Sequence, residues 1–179
     1  MKKFLKIVMF LTLSTFSFSK WEVDREYNMI FTYSIKSEPT QKGILYIRKG
    51  SYDDILDYYS LYILTDKYPA FTEKIDEDKT MQKTKVELVT EHPIEFERIG
   101  LVNMYKPNEI FILLIDDEME VFKKSKTLKV IYKDRNLSSC YMEFDITELE
   151  KAIKKIKVKN YPWWIRKNIG YLYKLEIIK

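Results

Sequence analysis

The chain has 179 residues, of which 46% are hydrophobic and 15% aromatic, enough apolar material for one domain with its own core. It carries 31 basic residues, 27 acidic residues and a single cysteine. The near balance of charge argues against a general nucleic-acid-binding surface, and one cysteine excludes an internal disulfide.

Residues 1–19 have the features of a secretory signal peptide, in the expected order. Lysines open the segment, residues 7–16 carry no charge, and Ser17 and Ser19 place small residues before a cleavage site at Lys20. The apolar run is about half the length of a membrane span. No cysteine follows it, which argues against a lipoprotein. We therefore predict a cleaved leader and a periplasmic or extracellular protein.

Seven short segments read as strands, because each combines β-branched and aromatic residues with alternation or with turn residues at its ends. Only two helical patterns accompany them, which argues against a parallel α/β fold. This pattern indicates a β-sandwich or a barrel, and of the two we predict an antiparallel β-sandwich of about seven strands and two short helices over residues 20–157. The predicted strands are residues 29–35, 43–48, 55–65, 85–90, 94–99, 128–132 and 142–146.

The two predicted helices have recognisable starts. Residues 117–124 follow Asp116, a suitable N-cap. Residues 147–156 begin with a capping box, in which Thr147 and Glu150 would satisfy free backbone N–H groups. Apolar residues then repeat at spacings of four and three, so this second helix should pack one face against the sheet.

No residue pattern predicts an enzyme, a cofactor or a metal site. The single histidine, His92, stands beside Pro93 in a turn, and no serine lies in a G-x-S-x-G elbow. Cys140 opens an alternating run and is expected to be buried. Asp76 and Asp78 have the spacing of a calcium loop but lack its glycine and its final glutamate.

The C-terminal segment, residues 158–179, differs from the body in charge and aromatic content. Residues 156–179 carry six basic side chains against Glu176 alone. Aromatic and basic side chains together are typical of segments that contact an anionic membrane surface or a partner. Apolar residues also alternate near the end, so a final strand or helix packed on the body, and a disordered end, remain open. The side chains predicted to contact a partner are Trp163, Trp164, Arg166 and Lys167.

Residues 121–156, a helix end followed by an alternating strand and a capped helix, support a family resemblance. The run Phe144-Asp145-Ile146-Thr147-Glu148-Leu149 resembles the F-D-x-[ST]-G-L strand of the VasI/TagO family of type VI secretion accessory proteins, with Glu148 at the glycine. It is also similar to the invasion-associated locus B proteins. Residues 44–48 are similar to the L-x-I-R type of first core strand. The resemblance implies an exported β-sandwich of the envelope and supplies no catalytic residues.

These observations predict a non-enzymatic binding or accessory protein of the bacterial envelope or its exterior. It would contact a protein partner through an exposed strand edge or through the basic aromatic segment. One alternative is an inhibitor that inserts a loop, such as residues 72–83, into the active site of an envelope or host hydrolase. A second alternative is an enzyme built on His92.

Overall fold

The computed structural model describes residues 21–38, 43–52, 56–74, 81–92, 95–156 and 159–160. In chain order the elements are β1 (Glu22–Asp24), β2 (Met29–Glu38), β3 (Ile44–Tyr52), β4 (Leu56–Leu64), β5 (Glu73–Lys74), β6 (Met81–Thr90), β7 (Glu95–Asn103), β8 (Lys106–Ile115), α1 (Asp116–Lys124), β9 (Thr127–Lys133), β10 (Ser139–Asp145), α2 (Leu149–Ile153) and β11 (Lys159–Asn160).

Eight of these strands close into an antiparallel barrel in the order β2-β10-β9-β6-β7-β8-β4-β3. Strand β2 completes the ring, because residues 30–33 pair with β3 and residues 34–38 pair with β10. The short strands β1, β5 and β11 pair with β2, β6 and β3 respectively.

The predicted β-sandwich is therefore wrong, and strand β8 is the physical reason. Residues 110–115 are six apolar residues in succession, so they show no alternation, and no strand was predicted there. Strand β8 pairs with β7 on one side and with β4 on the other. This eighth strand joins two groups of strands that would otherwise remain open, and the sheet closes on itself.

Alternate side chains of the eight strands point inward and fill the barrel, as expected at this strand number. Burying each large apolar side chain contributes about 1.5–3 kcal/mol. Gly100 lies at a crowded point of this interior. A Cβ atom built there would lie 2.5 Å from Ile110 Cγ2 and 3.0 Å from Val86 Cγ2. The largest fully buried side chains are Tyr59, Phe122, Phe144, Ile30, Leu45, Ile47, Leu61, Ile63, Leu88, Ile110 and Ile112.

The two helices pack against the interior cluster through their buried side chains, among them Met119 and Phe122 of α1. The predicted first helix is confirmed, with its start at Asp116. The second is shorter than predicted, although its apolar stripe is buried. Neither helix of the described residues has the length and hydropathy that crossing a bilayer requires.

The predicted capping box is wrong. Glu148 is the N-cap residue with φ 62°, and no side chain caps the helix. Both the backbone N–H and the hydroxyl of Thr147 donate instead to the carboxylate of Asp145. Glu150 pairs with Lys154 at 2.7 Å, so neither member of the box satisfies the free N–H groups.

Residues 65–74 run from the end of β4 to the β6 and β9 side of the barrel. Thr65 N–H donates to Asn108 O, Ala70 N–H to Lys133 O and Thr72 N–H to Lys83 O. The polar connection predicted over residues 72–83 is thus partly a strand pair, since β5 pairs with Gln82 and Lys83. Residues 75–80 lie outside the described part of the chain.

Candidate functional site

The connection between β9 and β10 is a rigid turn, which we call the Leu137 turn (residues 134–138). The buried Asp134 carboxylate accepts hydrogen bonds from Asn136 N–H and Ser138 N–H, both at 2.9 Å. The backbone closes the same turn, because Leu137 N–H donates to Asp134 O at 2.8 Å. The turn is therefore held by its own hydrogen bonds.

Leu137 has an unfavourable backbone conformation and an exposed side chain. Its φ of 63° lies in the left-handed region, where a branched residue is rare and costs about 1–2 kcal/mol relative to the right-handed conformation. The side chain is 70% exposed, the highest value for any aliphatic residue in the described ranges. Within the described protein, this strained residue gains little from burial, and such positions often have a functional reason.

Aromatic side chains hold Arg135 beside the Leu137 turn. Its guanidinium lies 4.8 Å from the centre of the Tyr68 ring and 5.1 Å from that of Phe71. Its backbone N–H donates to Tyr68 O at 3.0 Å. Tyr68 is 48% exposed, and Arg135 and Leu137 are exposed as well.

A cleft of about 590 Å³, which we call the β6–β9 cleft, adjoins the turn. It lies where the pairing of β6 with β9 ends, at Val86 and Tyr132, and beside residues 70–72, whose backbone N–H groups donate to Lys133 O and Lys83 O. Its volume is within the usual range for pockets that bind small molecules. The lining residues are Ala70, Phe71, Thr72, Thr84, Lys85, Val86, Glu87, Ile131, Tyr132, Lys133 and Leu137.

The cleft has an apolar floor and a charged rim. Val86 and Tyr132 are buried, whereas Lys85 and Lys133 are exposed and Glu87 is partly buried. With Arg135 nearby, the surroundings carry more positive than negative side chains. The arrangement is complementary to a ligand or segment in which an acidic group lies next to an apolar one.

Tyr132 fixes the depth of the cleft. Its hydroxyl donates to Lys67 O at 3.4 Å, and burial holds its pKa well above the usual value for tyrosine. Directly across the sheet from it lies Cys140, which is buried as the sequence predicted. The Tyr132 hydroxyl therefore remains protonated at neutral pH and acts as a structural donor.

His92 lies apart from the cleft, at the end of β6. It is exposed, and its Nε2 lies 3.1 Å from Lys124 O at the end of α1, close enough for a hydrogen bond. The neighbouring Glu91 accepts hydrogen bonds from the backbone N–H groups of Lys126 and Thr127 at 2.6 and 2.8 Å. This corner joins β6 to the start of β9.

Within the described residues, no group of three or more His, Cys, Asp and Glu side chains is placed to hold a metal ion. The four side chains predicted from the sequence to contact a partner, Trp163, Trp164, Arg166 and Lys167, lie outside the described residues.

Sequence reasoning missed the Leu137 turn, although a signal for it exists. Leu137 is the one apolar residue between Asp134 and Ser139, in a polar connection between two alternating strands. Polar residues dominate such turns, so an apolar residue at the centre is a departure that could have been noticed. Its left-handed conformation could not have been read from the sequence.

The chain matches no protein-family model, no curated protein and no solved structure.

Proposed function

We propose that this protein is an exported, non-enzymatic binding protein of the bacterial envelope or its exterior. Leu137 and the β6–β9 cleft would bind an apolar segment of a protein partner. The N-terminal pattern of charge, apolar run and small residues supports export. The observation that carries the binding site is Leu137, which is both strained and exposed.

The energetics of Leu137 support a contact with a partner. A glycine or an asparagine would adopt φ 63° at lower cost. Leucine is the better residue only if its side chain is covered, and within the described chain it is mostly open. Asp134 already fixes the turn through its hydrogen bonds. Binding of a partner would therefore cost the turn little conformational entropy.

The cleft indicates what the partner presents. Its buried floor of Val86 and Tyr132 fits an apolar side chain, and Lys85, Lys133 and Arg135 fit acidic residues beside it. We therefore propose a partner segment with one large apolar residue flanked by Asp or Glu. The charged rim would contribute mainly to the association rate and to specificity.

The barrel also changes which surfaces the proposal includes. All eight barrel strands pair on both sides over part of their length. We therefore no longer propose binding through the long open strand edge that a sandwich would have. Contact through Trp163, Trp164, Arg166 and Lys167 stays a prediction. So does the inhibitor interpretation, which the identity of the partner would decide.

Site-specific photocrosslinking tests this proposal. Benzoylphenylalanine replaces Tyr68 beside the cleft or, as the control, Tyr27 in the β1–β2 turn; both are exposed tyrosines, at 48% and 57%. In the protein's own host, we expect position 68 to give one reproducible adduct that position 27 does not give. A captured hydrolase would support the inhibitor interpretation. Equal capture at both positions, or none at position 68, would contradict the proposed site.

A further inference from the structure

The β6–β9 cleft is bounded at one end by paired strands. Strands β6 and β9 pair as far as Val86 and Tyr132, and both of these side chains line the cleft. They are buried, with 1% and 2% of their surface exposed. This end of the cleft is therefore closed by the pairing of the sheet itself.

The other end of the cleft is bounded by residues 70–72, which also line it and which connect the two strands. Ala70 N–H donates to Lys133 O on β9 at 2.7 Å. Thr72 N–H donates to Lys83 O on β6 at 2.8 Å. An extended partner segment that lay along the cleft would therefore meet backbone at both ends, whereas the end of a chain could enter from outside.

Two lysines lie at the rim of the cleft, on opposite strands. Extending the register of β6 and β9 by one residue places Lys85 opposite Lys133, and both side chains are exposed and line the cleft. Like charges at directly opposite positions of neighbouring strands destabilise a sheet. An anion bound between the two ammonium groups would remove this repulsion. Glu87 also lines the cleft, but it lies within the paired part of β6, opposite Ile131.

The apolar lining lies next to these charges. Ile131 and Leu137 line the cleft, and so does Phe71, which packs against the interior cluster. An apolar group and an anionic group must therefore enter together, within a volume of about 590 Å³. The last residue of a polypeptide carries both, because its α-carboxylate and its side chain are attached to the same carbon atom. An internal residue needs an acidic neighbour to supply the charge.

We propose that the β6–β9 cleft binds the free C-terminus of the partner chain. The last side chain contacts the apolar lining, and the α-carboxylate lies between Lys85 and Lys133. Each ammonium group can donate to a carboxylate oxygen, and such charge-assisted hydrogen bonds are about twice as strong as neutral ones. Capture of a terminal carboxylate is a recurring mode of peptide recognition. The inference rests on the proposed function, since it names the part of the partner that occupies the same site.

Short peptides that differ only in their terminal group test this inference. The probes are dansyl-Gly-Gly-Xaa peptides in which Xaa is Leu, Ile or Phe, each made as the free acid and as the amide. The amide keeps the side chain and removes only the negative charge. Fluorescence anisotropy measures their binding to the protein purified from its own host. We expect at least one free acid to bind about 3–10-fold more tightly than its own amide, because each exposed lysine contributes a modest attraction.

Two substitutions separate charge at the site from charge elsewhere. Lys133→Gln should weaken binding of the free acid by about 2–5-fold and leave binding of the amide unchanged. Lys126 is the matched control, because it is exposed just before β9 and lies outside the lining of the cleft. Lys126→Gln should change the binding of neither peptide. Equal weakening of acid and amide by Lys133→Gln, or the same selective loss in Lys126→Gln, would overturn the inference.

Further probes separate a failure of this inference from a failure of the proposed function. The amide of dansyl-Gly-Asp-Leu-Asp-Gly has an internal leucine between acidic residues and no terminal carboxylate. If it bound more tightly than every free acid, and Leu137→Asn weakened it, the proposed function would stand and the C-terminal assignment would be wrong. Displacement of the peptide acids by an equal concentration of phenylbutyrate would also overturn the assignment, because the ligand would then be a small carboxylic acid. If no probe bound at millimolar concentration, the inference would be wrong, while the crosslink at position 68 would still decide the proposed function.

Discussion

Replacing Leu137 with asparagine separates a binding role from a structural one. Asparagine adopts φ 63° more readily than leucine, so the substitution should recover up to about 1 kcal/mol of backbone strain. The side chain is 70% exposed, so losing its buried part costs about 0.5–1 kcal/mol. These two effects oppose each other, and we expect the free energy of unfolding to stay within about 1 kcal/mol of wild type.

The effect on binding should be larger than the effect on folding. A partner that covers the exposed part of Leu137 gains about 1–2 kcal/mol from its burial. Leu137→Asn should therefore weaken the affinity for the captured partner by about 5–30-fold. Urea denaturation followed by circular dichroism measures the stability, and titration calorimetry with the captured partner measures the affinity.

Glu148 provides a matched control for this substitution. It has φ 62°, it is exposed, and it lies at the start of α2 and outside the lining of the cleft. Glu148→Asn should relieve similar strain and leave the affinity unchanged. The reasoning would be refuted if Leu137→Asn bound as tightly as wild type. It would also be refuted if Leu137→Asn lost 2 kcal/mol or more of stability, because Leu137 would then be a structural residue.

Three further predictions concern the barrel and its charges. Gly100→Ala should destabilise the fold by about 1–3 kcal/mol, measured by urea denaturation, because the added methyl group meets Ile110 Cγ2 at 2.5 Å and neither strand can move away. Burial raises the pKa of the Glu109 carboxyl above its value in the unfolded chain. The folded state therefore favours the protonated carboxyl, and the stability that this gives at low pH is lost as pH rises through the folded pKa. Glu109→Gln should therefore flatten the fall in unfolding free energy between mildly acidic and neutral pH, and an unchanged profile would contradict this. At Glu91, burial raises the pKa of the carboxyl, but hydrogen bonds from backbone N–H groups and from the Thr127 hydroxyl lower it by more. The ionised Glu91 carboxylate therefore contributes stability above its unfolded pKa, and this contribution is lost as pH falls through the folded pKa. Glu91→Gln should cost about 1 kcal/mol at neutral pH, with the difference from wild type vanishing in acid.

Alternation predicts strands whose two faces differ, whereas β4 was predicted from its aromatic content and the proline that follows it. Strands β9 and β10 alternate between inward apolar and outward side chains, and the structure has them within a few residues of the predicted bounds. Strand β8 gave no such signal because apolar residues occupy both faces from 110 to 115. Periodicity reports a difference between faces, so it does not register a strand that is covered on both.

Local signals failed where tertiary contacts or nearby side chains offered better partners. Thr147 matched a capping box, yet the carboxylate of Asp145 takes both its N–H and its hydroxyl. The candidate site also depends on which backbone groups a nearby carboxylate binds. Asp134 is buried beside Pro69, and this placement lets it fix the turn that holds Leu137 in a left-handed conformation. The sequence shows which residues are present in that turn but not which of them the fold buries.

Closing the barrel has consequences for how this protein can bind. Strand β8 pairs with both β7 and β4, so the described strands form a closed ring in which each barrel strand has a neighbour on both sides over part of its length. Binding is then left to the turns, the ends of the barrel and its outer surface. The site proposed at the Leu137 turn is of the first kind. The same run that closes the ring, residues 110–115, gives β8 apolar residues at successive positions. The closure of the barrel and the loss of alternation therefore come from the same residues, which is why the sequence pattern did not predict the barrel.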